Sequence, residues 1–170
     1  MSTVNVIREN GVPVTQRFKK YPALVAIREV NGVVYASGCG PENHNTYEPL
    51  FTGRVGKDLT VEEGYAAARE CGNTIFRAIK ERYGSLDCIQ HLVRAMALVN
   101  CDGDFDQPEK VMDGFSDFCM EILEERGFHA RTVMGTHNMP NHQIPVEIEL
   151  IFVLKDAYRN KGARNYDGTI

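Results

Sequence analysis

Between residues 24 and 37 the chain reads LVAIREVNGVVYAS, two runs rich in Val, Ile and Tyr that flank Asn31-Gly32. Asn-Gly supplies positive φ at both central positions of a type I′ turn, so the pattern predicts a β-hairpin pairing residues 24–30 with 33–37. The next stretch, CGPENHNTYEPLFTGRVGKD, has no period and frequent Gly, Pro and Asn, which predicts a long surface loop over 40–59. Loops of that length in compact domains commonly carry function. Helical spacing then begins. Thr60 and Glu63 are placed for a capping box, Tyr65, Ala68, Gly72, Ile75, Phe76 and Ile79 recur on one face, and Gly84 ends a helix over 61–83.

The run DCIQHLVRAMALVN is apolar and extended and predicts a mostly buried strand over 88–99. Pro108 stands where a helix tolerates it, at the first position, and Val111, Met112, Phe115, Phe118, Cys119, Ile122 and Leu123 form the apolar stripe of a second helix ending before Gly127. Two further strands are predicted over 130–136 and 145–154, with a loop between them. The order strand, strand, helix, strand, helix, strand, strand gives an α+β fold, a single mixed sheet with two helices on one face. Apolar residues on the uncovered face then need a partner, and association of several copies through that face is the simplest supply.

Composition narrows the class of protein. With 170 residues, 43% of them apolar, one domain can hold a genuine core. The domain is expected over 22–155, between an N-terminal extension (1–21) and a polar tail (156–170). Five widely spaced cysteines without a C-x-x-C pair read as reduced thiols. No apolar run approaches the ~20 residues that span a bilayer, and the first ten residues lack a secretory core, so a cytoplasmic protein without membrane contact is expected. A net charge of −4 offers no basic field for a phosphate backbone, which argues against nucleic-acid binding.

The candidate chemistry sits in HARTVMGTHNMPNHQIPVEIEL, residues 129–150. If the last two strands form an antiparallel hairpin about Met139-Pro140, Arg131 falls roughly opposite Glu147 and close to Glu149. Two readings stand open: a cross-strand ion pair, or an Arg that grips a carboxylate or phosphate beside a Glu that orients or deprotonates a water. His129, His137 and His142 lack the spacing of a metal site, and no metal is expected. Cys39 has no identifiable activating base and reads as a passive thiol. Asp113 and Ser116 read as the solvated face of the second helix.

Several pieces in one order carry a resemblance: NGVVYASG with the strand-ending Ser37-Gly38, GDFDQPEKV, ARTV, Met139-Pro140 and VEIELI. Over about residues 22–155 the chain resembles the RidA/YjgF family, the reactive intermediate deaminases formerly called L-PSP endoribonucleases. More narrowly, GRVGKDLTVEEGYAAAR and HARTVMG are similar to a less characterised branch of it. The resemblance implies a chorismate-mutase-like fold and a homotrimer with three clefts between subunits. It implies that Arg131 holds a substrate carboxylate, that Glu147 helps position the attacking water, and that Ser37 and Gly38 line the cleft. Leu24 stands where the family's Gly-Pro-Tyr element places a cleft tyrosine. The implied activity is hydrolysis of a 2-aminoacrylate-type imine or enamine to a 2-keto acid and ammonia without cofactor or metal. The alternative is a non-catalytic trimer that binds small carboxylate metabolites in a regulatory or protective role.

Overall fold

The computed structural model describes residues 25–159. Asn31 (φ 52°) and Gly32 (φ 80°) make the turn that joins strand β1 (Ile27–Val30) to β2 (Val33–Cys39). Helix α1 (Val61–Tyr83) starts where its capping box predicts: the Glu63 carboxylate accepts from the Thr60 amide at 2.8 Å, and the Thr60 hydroxyl accepts from the Glu63 amide at 3.2 Å. Gly84, at φ 80°, closes it with an amide donated to the Lys80 carbonyl. Strand β3 (Ile89–Asn100), helix α2 (Pro108–Leu123), strand β4 (Ala130–Thr136) and strand β5 (Val146–Leu154) follow.

The strands form one sheet in the order β1-β2-β5-β3-β4, antiparallel except for the β3–β4 pair. Parallel neighbours need a long crossover, and α2 supplies it. The last two strands therefore do not pair with each other. β3 lies between them, and the hairpin about Met139-Pro140 expected from sequence is absent. The segment joining them instead contains a one-turn helix, α3 (Pro140–Gln143), with Asn141, His142 and Gln143 all at positive φ.

Both long helices cover one face. Val146, Ile148, Leu150, Phe152 and Leu154 of β5 are fully buried there, with Ala95, Ala97 and Val99 of β3. α1 is buried more widely than its sequence stripe suggested. Every residue from 71 to 79 is buried, Asn73, Thr74 and Arg77 included, and the 40–59 loop reaches this helix where the His44 carbonyl accepts from Arg77 at 3.4 Å. α1 and α2 approach closely at Gly114, where an added Cβ would meet the Tyr65 carbonyl oxygen at 2.1 Å. The loop is itself pinned: Val55 bridges Cys101, and the Gly53 amide donates to the Gln143 carbonyl at 2.8 Å.

Among the described residues no helix covers the opposite face of the sheet. Tyr35 and Met134 are each 48% exposed there, and Val33, Met96, Leu98, Ile151 and Val153 are half-buried. Cross-strand register aligns them in rows, Val33 with Val153, Tyr35 with Ile151, and Leu98 with Met134 and Glu147.

Candidate functional site

Arg131 lies on β4, the edge strand, in register with Ala95, which in turn pairs with Leu150. Residues in register across a sheet share a face, and Ala95 and Leu150 are buried under the helices, so Arg131 projects toward α2. There its Nη1 donates to the Asp113 carboxylate at 2.7 Å and to the Ser116 hydroxyl at 3.1 Å. Asp113 and Ser116 are one turn apart on α2 and present both acceptors together. The solvated face that sequence assigned to them is in fact the seat of the guanidinium. Among the described residues Nε and Nη2 of Arg131 make no hydrogen bond, and those two donors form the edge of the fork that suits a carboxylate.

His129 stands two residues before Arg131 and, by the period of a strand, on the same side. Its Nδ1 lies 2.7 Å from the Gly127 carbonyl, which only accepts, so Nδ1 carries the proton and Nε2 presents a lone pair. Nε2 lies 3.2 Å from Ser116 Oγ. Since Ser116 already accepts from Arg131, its own proton goes to His129. The imidazole also meets the Phe115 ring edge-on, with centroids 5.8 Å apart. Burial pulls the His129 pKa below its ordinary value; the Gly127 bond opposes this, and the nearby Arg131 charge assists it.

These groups open into a cleft of about 230 Å³ lined by Ser116, Met120, Gly127, Phe128, His129 and Arg131. Phe128 forms an apolar wall and is 64% exposed. A fixed cation, a hydroxyl and a neutral imidazole beside an apolar wall suit a small organic carboxylate.

The other sequence candidates gather elsewhere. Glu147 pairs with Leu98, so it lies on the open face of the sheet and not beside Arg131. The cross-strand ion pair between Arg131 and Glu147 does not form, because β3 separates their strands and the two side chains leave opposite faces. Glu149, exposed and in register with Met96, shares Glu147's face. Glu147 instead packs on Gly38, where a Cβ would fall 2.2 Å from Glu147 Oε1. The Ser37 hydroxyl donates to the Val25 carbonyl at 2.6 Å and its amide to the Ala26 carbonyl at 2.9 Å, holding the irregular end of β2 where the register shifts between Ala36 and Cys39. Leu24 lies outside the described residues.

The three histidines have separate surroundings. His137 Nδ1 lies 3.0 Å from the Cys101 carbonyl and His142 is exposed in α3. Among the described residues no group of three His, Cys, Asp or Glu is placed to hold a metal ion, and no helix is long and apolar enough to cross a membrane. All five cysteines are buried, and among the described residues none forms a disulfide. Burial pushes the thiols of Cys71, Cys101 and Cys119 up, and that of Cys88 up to about 12, so they remain protonated at neutral pH.

Comparison with known proteins places this architecture. Residues 29–153 match the family described as "YjgF/chorismate mutase-like, putative endoribonuclease". Protein TCP17 of Trypanosoma cruzi is 36% identical over 108 residues, which are 63% of this chain and 66% of that protein, a little under two thirds of its length. The crystal structure of Atu1372 from Agrobacterium tumefaciens superposes with a TM-score of 0.74 at 26% identity, over 84% of this chain and 92% of that one. The E. coli TdcF structure with bound serine shares the fold at 17% identity and a TM-score of 0.51, over 78% of this chain and 88% of TdcF. With its five-stranded mixed sheet, its two covering helices and a match across most of its length, the chain belongs to the RidA/YjgF family.

Proposed function

We propose that the protein hydrolyses imines or enamines derived from amino acids to 2-keto acids and ammonia, in clefts between copies of a homotrimer. The observation that carries this reading is Arg131: its guanidinium is anchored through Nη1, and Arg131 lines a cleft of about 230 Å³. A carboxylate seated on its Nε–Nη2 edge would be held in two directions. Assembly enters because Arg131 and Glu147 leave opposite faces of the sheet, so one ligand can meet both only if a second copy supplies the glutamate. The open face, with Tyr35, Met134, Ile151 and Val153, favours that association. Ser37 and Gly38, packed beside Glu147, would then line the cleft from the second copy. TdcF, which shares the fold, holds serine, whose carboxylate is the group assigned here to Arg131.

The chemistry asks little of the protein. A protonated imine is already electrophilic, so orienting it against a water contributes much of the acceleration. Arg131 fixes the carboxylate and Glu147 orients the water. The alternative, a binder without turnover, is favoured by one feature: among the described residues of a single chain the carboxylate on Arg131 is Asp113, which pairs with the guanidinium and is not placed to orient a water on a ligand held there. Following keto-acid formation from an enzymatically generated imine decides between them. Acceleration over buffer that is lost in Arg131→Ala is expected. No acceleration, or an equally active variant, overturns hydrolysis, and thermal stabilisation by keto acids without turnover establishes the binder.

A further inference from the structure

Water attack on an imine moves protons as well as heavy atoms, and the groups assigned so far handle only part of that traffic. A carboxylate that orients the water delivers no proton to the departing nitrogen. The Arg131 cleft contains a hydrogen-bonded chain that the fold alone does not require: Arg131 Nη1 to Ser116 Oγ at 3.1 Å, Ser116 Oγ to His129 Nε2 at 3.2 Å, and His129 Nδ1 to the Gly127 carbonyl at 2.7 Å. Each link has a direction set by chemistry. Arg only donates, the carbonyl only accepts, and so the hydroxyl proton points at a bare imidazole nitrogen. The ring is oriented by its main-chain bond and by Phe115, the arrangement of a base held ready by a third group.

Resting on the deaminase reading above, the geometry points to Ser116 and His129 as the proton relay of that reaction, Ser116 touching the substrate and His129 acting through it. In the first step the water oxygen bonds to the imine carbon while the C=N π pair moves onto nitrogen. One water proton passes to Ser116 Oγ as the serine proton passes to His129 Nε2, leaving a neutral carbinolamine and an imidazolium. The proton returns along the same path to the amine nitrogen. The C–N bond then breaks with its pair leaving on ammonia, an oxygen lone pair closes the C=O bond, and the hydroxyl proton leaves through Ser116 to His129 and on to ammonia. The sum is iminium plus water giving keto acid plus ammonium, with no outside oxidant or reductant. Burial of the imidazole supports the assignment, because it keeps His129 neutral and able to accept at the start of the cycle.

The test uses the full-length protein and an amino-acid imine generated in the assay. His129→Gly removes the base and opens a ring-sized space. The expected result is a fall in kcat on the order of a hundredfold with KM little changed, recovered by added imidazole but not by pyrazole, which has the same shape and little basicity. Ser116→Ala gives the same fall and Ser116→Thr, which keeps a hydroxyl, restores turnover; this pair decides the matter if His129→Gly does not fold. A wild type that turns over while both His129→Gly and Ser116→Ala keep kcat within about twofold overturns the relay and leaves the deaminase reading intact. Equal recovery by imidazole and pyrazole also overturns it, since space-filling would then explain the effect. A wild type without turnover overturns both.

Discussion

Two regions of this chain carry charge on a strand, and they differ in what the strand's neighbours provide. At the β4 edge, Arg131 emerges on the helix side, and α2 meets it with Asp113 and Ser116 while His129 completes the chain of bonds. On β5, a central strand, Glu147 emerges on the bare side and rests on Gly38, in a row with Leu98 and Met134. The first region is a hydrogen-bonded cluster assembled by one chain. The second lies on a sheet face that carries half-buried apolar residues beside Glu147 and Glu149, and under the proposed function a second copy would meet it there. The parity of a residue along its strand, together with the place of that strand in the sheet, decides which kind of region it joins.

The comparison can be broken from either side. The largest expected effect is on the Arg131 edge. Phe115 is fully buried and backs the His129 ring, so Phe115→Ala should cost about 3–5 kcal/mol of stability, read from the urea midpoint, and should loosen His129. Gly38→Ala attacks the other region. Its Cβ would displace a flexible carboxylate and not backbone, so stability should fall by less than about 1 kcal/mol while turnover drops and keto-acid binding at Arg131 persists. Loss of binding in this variant would show that the two regions are not separate. Asp113→Asn should change stability by at most about 1 kcal/mol, since the pair is part-exposed, and should show by ligand titration whether Asp113 competes with a bound carboxylate.

A pH effect sharpens the same contrast. Burial lowers the His129 pKa in the fold, so between that value and the unfolded value of about 6.5 the unfolded chain binds the extra proton. The contribution is fully favourable above about pH 6.5 and is lost as pH falls toward the folded pKa. His129→Asn should flatten this acid limb in urea titrations compared with wild type. An unchanged limb would mean that the imidazole is not held neutral.

Much of the fold was legible because its signals are local. Thr60 and Glu63 define a helix start within four residues, and Asn31-Gly32 defines a turn within two. The strand order was not legible, because inserting β3 between β4 and β5 is a long-range choice that neither strand's own pattern records. That choice is what separated Arg131 from Glu147. Asp113 and Ser116 do not stand out in the sequence because polar positions on an amphipathic helix look solvated. Their signal was available in their spacing of three on α2, beside the buried Met112 and Phe115, together with the alternation of His129 and Arg131. The roles proposed for Arg131 and Glu147 come from the resemblance to the family, since periodicity alone leaves them open.

Subunit complementation tests the central claim most directly. Arg131→Ala and Glu147→Gln, each inactive alone, are co-expressed in equal amounts and the mixed oligomers assayed for imine hydrolysis. If Arg131 and Glu147 act on one substrate from different copies, about a quarter of the clefts combine an intact arginine with an intact glutamate, and activity returns to about that fraction of wild type. If both residues act within one chain, every chain lacks one of them, and mixed oligomers that remain inactive contradict the account.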